Sequence, residues 1–132
     1  VLARIPDTVR YGSGLLGVLA SETAWLSGGP WLDALLVQLD RVRVRFGSLL
    51  ASRLPGAGYV PPEAGYLAWV DCSALGWGEP ASVFLDRGRV AVGRGLNFGA
   101  AGDGFVRVTI GTSSALVEEI VSRMARAASS EG

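Results

Sequence analysis

An arginine in the middle of a strand-like run is the residue whose type and position best suit binding chemistry. The run is "GFVRVTIGTS", residues 104–113. Strand side chains alternate between two faces, so this run has an apolar face and a second face that carries the arginine: Val106, Val108 and Ile110 against Phe105, Arg107 and Thr109. Arginine is rarely fully buried unless it is paired. Two interpretations of Arg107 stay open: an ordinary salt bridge or solvent-facing charge, or a guanidinium fork that binds a carboxylate through two parallel hydrogen bonds.

The residue types that the chain lacks exclude most catalytic chemistries. Its 132 residues include no histidine, all twelve basic residues are arginines, and there is one cysteine. Without histidine there is no Ser-His-Asp or Cys-His system and no imidazole metal site. Without lysine there is no P-loop lysine and no Schiff-base lysine, and one thiolate cannot build a zinc site. We therefore expect no catalytic residue and no metal site in this chain.

Charge and cysteine content bear on partners and location. Twelve arginines balance twelve acidic residues, and the arginines are scattered, so there is no basic stripe for a nucleic acid. No apolar run approaches the roughly 18 residues of a membrane span, and we expect no membrane partner. The single Cys72 fits a reducing, cytoplasmic location. As a residue, Cys72 is interpreted as a small packed side chain and not as a nucleophile.

A glycine-rich loop, "GRGLNFGAAGDG" at residues 93–104, precedes the arginine strand. It is not a phosphate cradle, because G-x-G-x-x-G would need glycine where Phe98 stands and the loop leads into a strand and not a helix. Either it is a long turn that needs positive φ at several places, or it shapes the wall of a site next to Arg107. Four acids are interpreted as solvated groups at the ends of elements: Asp71, Glu79, Asp86 and Asp103.

The elements that would position these residues follow from periodicity and capping signals. They predict helices at 15–26, 30–54, 79–88 and 113–128. Strands are predicted at 58–62 (a weak edge strand), 66–71, 89–93 and 104–113. Such a pattern indicates a two-layer α+β domain, with a short, mostly antiparallel sheet packed on the long N-terminal helix and the C-terminal helix.

Apolar residues are abundant for a chain of this size, at 49% with a mean hydropathy of +0.36. Helix 15–26 is apolar nearly all the way round, which is typical of a buried helix. Two amphipathic stripes are predicted. They comprise Trp31, Leu32, Leu35, Leu36, Leu39, Val42, Phe46, Leu49 and Leu50 in the long helix, and Leu116, Val117, Ile120, Val121 and Met124 in the last helix. The excess of apolar surface indicates a partner, an oligomer or part of a larger protein.

Three motifs, in order along the chain, carry a resemblance to a known family. They are "PPEAGYLAWVD", then "FLDRGRVAV", then "G…NFGAAGDGFVRV", and they follow "GVLASETAWLSGGPWLDALL". The chain resembles, over nearly its whole length, the C-terminal segment of fold-type I pyridoxal-phosphate (PLP) enzymes. The resemblance is to the branch of class I/II aminotransferases and cystathionine β-lyase-like C–S lyases.

That resemblance implies a role for Arg107 and a division of the chain. In the family, the arginine of the "GFVR" strand binds the α-carboxylate of an amino-acid substrate. The Schiff-base lysine, the acid that pairs with the pyridine nitrogen and the phosphate-binding groups lie upstream of the segment. The resemblance thus implies that residues 1–27 belong to a large cofactor domain and residues 28–132 form the small C-terminal domain. PLP would be bound only by the full-length enzyme, a homodimer when complete, and the isolated chain would be inactive.

Two alternatives stay open at this level. The residues do not distinguish β-elimination from transamination, because that choice depends on groups around the cofactor. A rival interpretation from another class is a non-catalytic α+β module for ligand binding or dimerisation.

Overall fold

A computed structural model describes residues 14–129 of the chain. The chain divides into two compact units, residues 1–37 and 38–132, and each is described by itself. Residues 1–13, the start of the segment that the resemblance assigns to a large cofactor domain, lie outside the described residues.

Four α-helices are present in the described part of the chain: α1 (Leu15–Ser27), α2 (Gly29–Arg53), α3 (Pro80–Asp86) and α4 (Ser114–Ser129). All four were predicted, with ends that agree within two residues. The start of α3 shows why, since Pro80 occupies the first turn and the Glu79 side chain accepts a hydrogen bond from the Ala81 N–H at 3.3 Å. Within residues 14–129, no helix is long and apolar enough to cross a membrane.

Four short strands form one antiparallel sheet: β1 (Gly58–Tyr59), β2 (Leu67–Asp71), β3 (Gly93–Arg94) and β4 (Phe105–Thr109). Their order in the sheet is β1-β2-β4-β3, and each neighbouring pair is antiparallel. The two longest strands, β2 and β4, therefore lie side by side at the centre. The strand predicted at residues 104–113 is shorter, Phe105–Thr109, and its burial pattern confirms the alternation of its faces.

The core lies on one face of this sheet. Residues of β2 and β4 that point to that face are buried together with residues of α2, α3 and α4, and the main members are Phe46, Leu50, Ala68, Val70, Phe84, Val106, Val108, Val117, Val121 and Met124. This confirms the predicted α+β architecture, with the sheet packed on the long helix and the C-terminal helix.

The strand predicted at residues 89–93 is wrong in most of its length. Only Gly93 pairs with β4 there, together with Arg94 beyond the predicted end. Arg89 instead adopts a left-handed conformation, with φ at +56°, where α3 ends. Its N–H donates to the Leu85 carbonyl, and the Val90 N–H donates to the Phe84 carbonyl. These bonds satisfy the last carbonyls of α3 and turn the chain before a strand can begin.

The predicted apolar stripes are buried only in part. In α2 the buried positions begin at Leu39, whereas Trp31, Leu32 and Leu36 are exposed. In α4, Leu116 is 49% exposed because it lines a surface cleft and not the core. No residue of α1 is buried among the described residues, although burial was expected from its apolar character.

The boundary between the two compact units falls inside α2, between Val37 and Gln38. The domain boundary predicted after residue 27 remains a prediction, since a contact division of this chain does not define the domains of a longer protein.

Candidate functional site

Arg107 occupies the centre of β4 on the face of the sheet away from the core. Its neighbours on the strand, Val106 and Val108, are buried, so the Arg107 side chain points to the opposite face. Across the sheet it lies directly between Trp69 of β2 and Gly93 of β3. Pairing of β4 with β2 and β3 thus fixes the backbone position from which the Arg107 side chain extends.

The guanidinium of Arg107 has no anionic partner in the described part of the chain. The residue is half-buried. Its Nε is buried without a hydrogen-bond partner, and no acidic side chain between residues 14 and 129 lies within ion-pair distance of it. The ordinary salt bridge, one of the two open interpretations, is therefore not found among these residues.

An aromatic cluster lies on the outward face, and one of its rings contacts Arg107. The Phe98 ring centroid lies 4.8 Å from the guanidinium carbon, which is a cation–π contact. Trp69 meets Phe98 edge-on at 5.6 Å and stacks on Phe105 at 5.6 Å. Phe98 belongs to the glycine-rich loop, so this loop lies beside Arg107.

A cleft of about 600 Å³ opens next to Arg107, between residues 89–93, the second half of β4 and the outer side of α4. Its charged lining consists of Arg89, Arg107, Arg123 and Glu119. Glu119 accepts a hydrogen bond from Arg123 Nε at 2.7 Å, one helical turn further along α4. Three arginines against one carboxylate give the cleft a positive charge, which favours an anionic ligand.

The other side chains considered from the sequence do not join this site. Cys72 is buried, and burial with a smaller effect of the Asp71 carboxylate raises the pKa of its thiol to about 12, so it stays protonated and unreactive. Hydrogen bonds from the side chain and backbone of Ser73 lower the pKa of Asp71. Glu79 caps α3 and pairs with Arg94, whose Nε lies 2.6 Å from it.

The sequence did not reveal the residues next to Arg107, nor a second arginine that is withdrawn from solvent. Gly93 and Trp69 were not linked to Arg107, because strand register cannot be deduced from one sequence. Arg43 was missed as well. It is buried, pairs with Asp40 and donates to the Gly65 carbonyl from two nitrogens.

The model of one protein family matches residues 17–124, which is most of the chain, and this family is described as aminotransferase class I and II. The chain belongs to the aminotransferase class I and II family. The matched residues include β4 with Arg107 and the glycine-rich loop before it.

Individual relatives agree with this membership. A Mycobacterium tuberculosis protein whose name proposes it to be a cystathionine beta-lyase is 43% identical over 95% of this chain and 35% of its own length. Cystathionine beta-lyase PatB of Bacillus subtilis is 33% identical over 89% of this chain and 31% of its own length. The PLP-bound C-S lyase of Staphylococcus hominis is 26% identical, with a TM-score of 0.85 over 95% of this chain and 34% of the solved chain. The chain spans about a third of the length of the curated relatives it matches.

The residues of this class I and II aminotransferase chain suit a carboxylate and do not suit the covalent attachment of PLP. Arg107 supplies a guanidinium, but the chain has no lysine to bond the cofactor aldehyde. No residue of this chain is therefore assigned to the cofactor.

Proposed function

We propose that the full-length protein is a PLP-dependent enzyme acting on amino acids, as a C–S β-lyase or an aminotransferase. Residues 28–132 would form its small domain, help to close the active site and bind the substrate α-carboxylate through Arg107. One observation carries the proposal: a half-buried guanidinium at the centre of the sheet has no anionic or hydrogen-bonding partner within the described residues.

The comparisons support the reaction class. Two relatives carry cystathionine beta-lyase in their names, and a solved neighbour is a PLP-bound C-S lyase. PLP stabilises the carbanion that forms at the α-carbon of a bound amino acid. The protein must hold the α-carboxylate at a fixed place so that the reacting bond is correctly oriented. Arg107 meets that need, because a guanidinium fork matches a carboxylate in shape and charge.

The rest of the protein would supply the cofactor site. Because this chain has no lysine, we expect no PLP-dependent activity from it alone. Absorbance spectra of the 132-residue chain with added PLP check this: no covalent bond between chain and cofactor should form, and a bond that borohydride reduces would contradict it. The large exposed side chains of α1 and of the start of α2 suit contact with that further part, since apolar surface of this extent marks an interface. They include Leu15, Leu16, Trp25, Leu26 and Trp31. We further propose a cytoplasmic homodimer.

Substitution of Arg107 in the full-length enzyme tests this role. We expect Arg107→Gln to raise KM for amino-acid substrates more than tenfold, because a hydrogen-bonded charged contact contributes about 1.5–3 kcal/mol. Steady-state kinetics would measure it. Arg53→Gln is the matched control, since Arg53 donates to Ser122 between two helices, and its KM should stay within about twofold of the wild-type value.

An unchanged KM in Arg107→Gln would remove the carboxylate-binding role. Complete absence of β-elimination and transamination in the full-length, PLP-loaded protein would favour the non-catalytic module.

A further inference from the structure

Arg107 is held on three sides by groups that fix the direction of its side chain. On one side, Trp69 of β2 is its cross-strand neighbour, and on the other side Gly93 of β3 is. A Cβ atom on Gly93 would lie 3.3 Å from Arg107 Cβ and 3.4 Å from its Nε. The Arg107 side chain therefore leans over Gly93, where the missing side chain leaves space for it.

The third group is Phe98, which covers the guanidinium itself. Its ring centroid is 4.8 Å from the guanidinium carbon. Phe98 is itself supported by the edge-on contact with Trp69, which in turn stacks on Phe105. The backbones of Gly95 and Gly102 approach so closely that a Cβ on either would overlap the other. This contact closes the loop that carries Phe98.

The accessible part of Arg107 follows from these contacts. Nε is buried without a partner, so it is closed to a ligand that approaches from solvent. The terminal nitrogens are the donors that remain, and a carboxylate has to meet them end-on. The cation–π contact with Phe98 uses no hydrogen-bond donor of the guanidinium, so the terminal nitrogens stay free to donate while the ring limits the movement of the group.

We propose that Phe98 is a positioning residue: its ring holds Arg107 so that the two terminal nitrogens face the substrate α-carboxylate. This inference rests on the proposed function of Arg107. A flexible arginine would bind the same carboxylate but lose more side-chain freedom on binding, which weakens the contact.

The test uses the carboxylate preference of the full-length, PLP-loaded enzyme. We define this preference as the inhibition constant of a short aliphatic amide divided by that of the carboxylate with the same carbon skeleton. Phe98→Leu should lower it about three- to fivefold, because the cation–π contact is lost. Phe98→Tyr, which keeps the ring, should restore it to within about twofold of the wild-type value.

Phe84→Leu is the matched control, because it also removes an edge-on aromatic contact, with Trp77, but lies in the core on the opposite face of the sheet. It should leave the preference within about twofold of wild type. Equal losses in Phe84→Leu and Phe98→Leu would overturn the inference, since general packing would then explain both. An unchanged preference in Phe98→Leu, with a lost preference in Arg107→Gln, would also overturn it and leave the proposed function standing. An unchanged preference in Arg107→Gln would overturn both.

Discussion

Arg43 and Arg107 are both withdrawn from solvent, but their surroundings are opposite. Arg43 of α2 is 5% exposed and donates from Nε and Nη2 to the Gly65 carbonyl at 3.0 and 2.8 Å. Its Nη1 pairs with Asp40. Arg107 of β4 is half-buried, and its Nε has no partner among the described residues.

The difference separates a guanidinium that stabilises the fold from one that is available to a ligand. Burying a charged donor without a partner costs free energy, so a structural arginine finds acceptors within its own chain. Arg43 does so in two places. Arg107 instead lies against an aromatic ring and beside a positively charged cleft. A carboxylate ligand would provide the acceptors that the sheet does not.

The largest effect that sharpens this comparison is on stability. Arg43→Met keeps the apolar stem but removes the bonds to Gly65 and Asp40. We therefore expect the free energy of unfolding to fall by about 2 kcal/mol. Amides of β2 and β4 in the full-length protein should then exchange hydrogen about 30 times faster. Arg107→Met should change their exchange little, because it breaks no hydrogen bond of the described fold. Equal acceleration in both variants would break the comparison.

A smaller effect is expected where Gly93 makes room for Arg107. Gly93→Ala should lower the carboxylate preference about threefold, since the new Cβ pushes the arginine away from its favoured rotamer. Gly58→Ala is the matched control on the opposite edge of the sheet, where a Cβ would lie 3.3 Å from Asp71 Cβ. If Gly58→Ala lowers the preference as much, crowding of Arg107 is not the cause.

The elements with strong periodicity could be predicted from the sequence. In β4 successive side chains point to opposite faces, so Arg107 must lie on the face opposite the buried valines. The predicted strand at residues 89–93 fails for a local reason. Turn bonds of Arg89 and Val90 close α3 at this point, directly after the predicted helix end at residue 88.

The pairing of distant residues could not be predicted. Arg41, Arg43 and Arg45 look alike in the sequence, yet Arg43 alone of the three is buried. The sequence could not show this, because the carbonyl that accepts its hydrogen bonds, that of Gly65, lies 22 residues away. The same holds for the candidate site. Trp69 and Phe98 reach Arg107 through strand register and loop closure, both of which depend on long-range packing.

One measurement tests the carboxylate-binding role of Arg107 most directly: the carboxylate preference of the full-length enzyme, compared between wild type and Arg107→Gln. We expect the wild-type enzyme to bind the carboxylate more than about tenfold more tightly than the matched amide. In Arg107→Gln the two inhibition constants should become equal within about twofold, because glutamine carries no charge to distinguish them. A preference that survives the substitution would show that another group binds the carboxylate and would contradict the role proposed for Arg107.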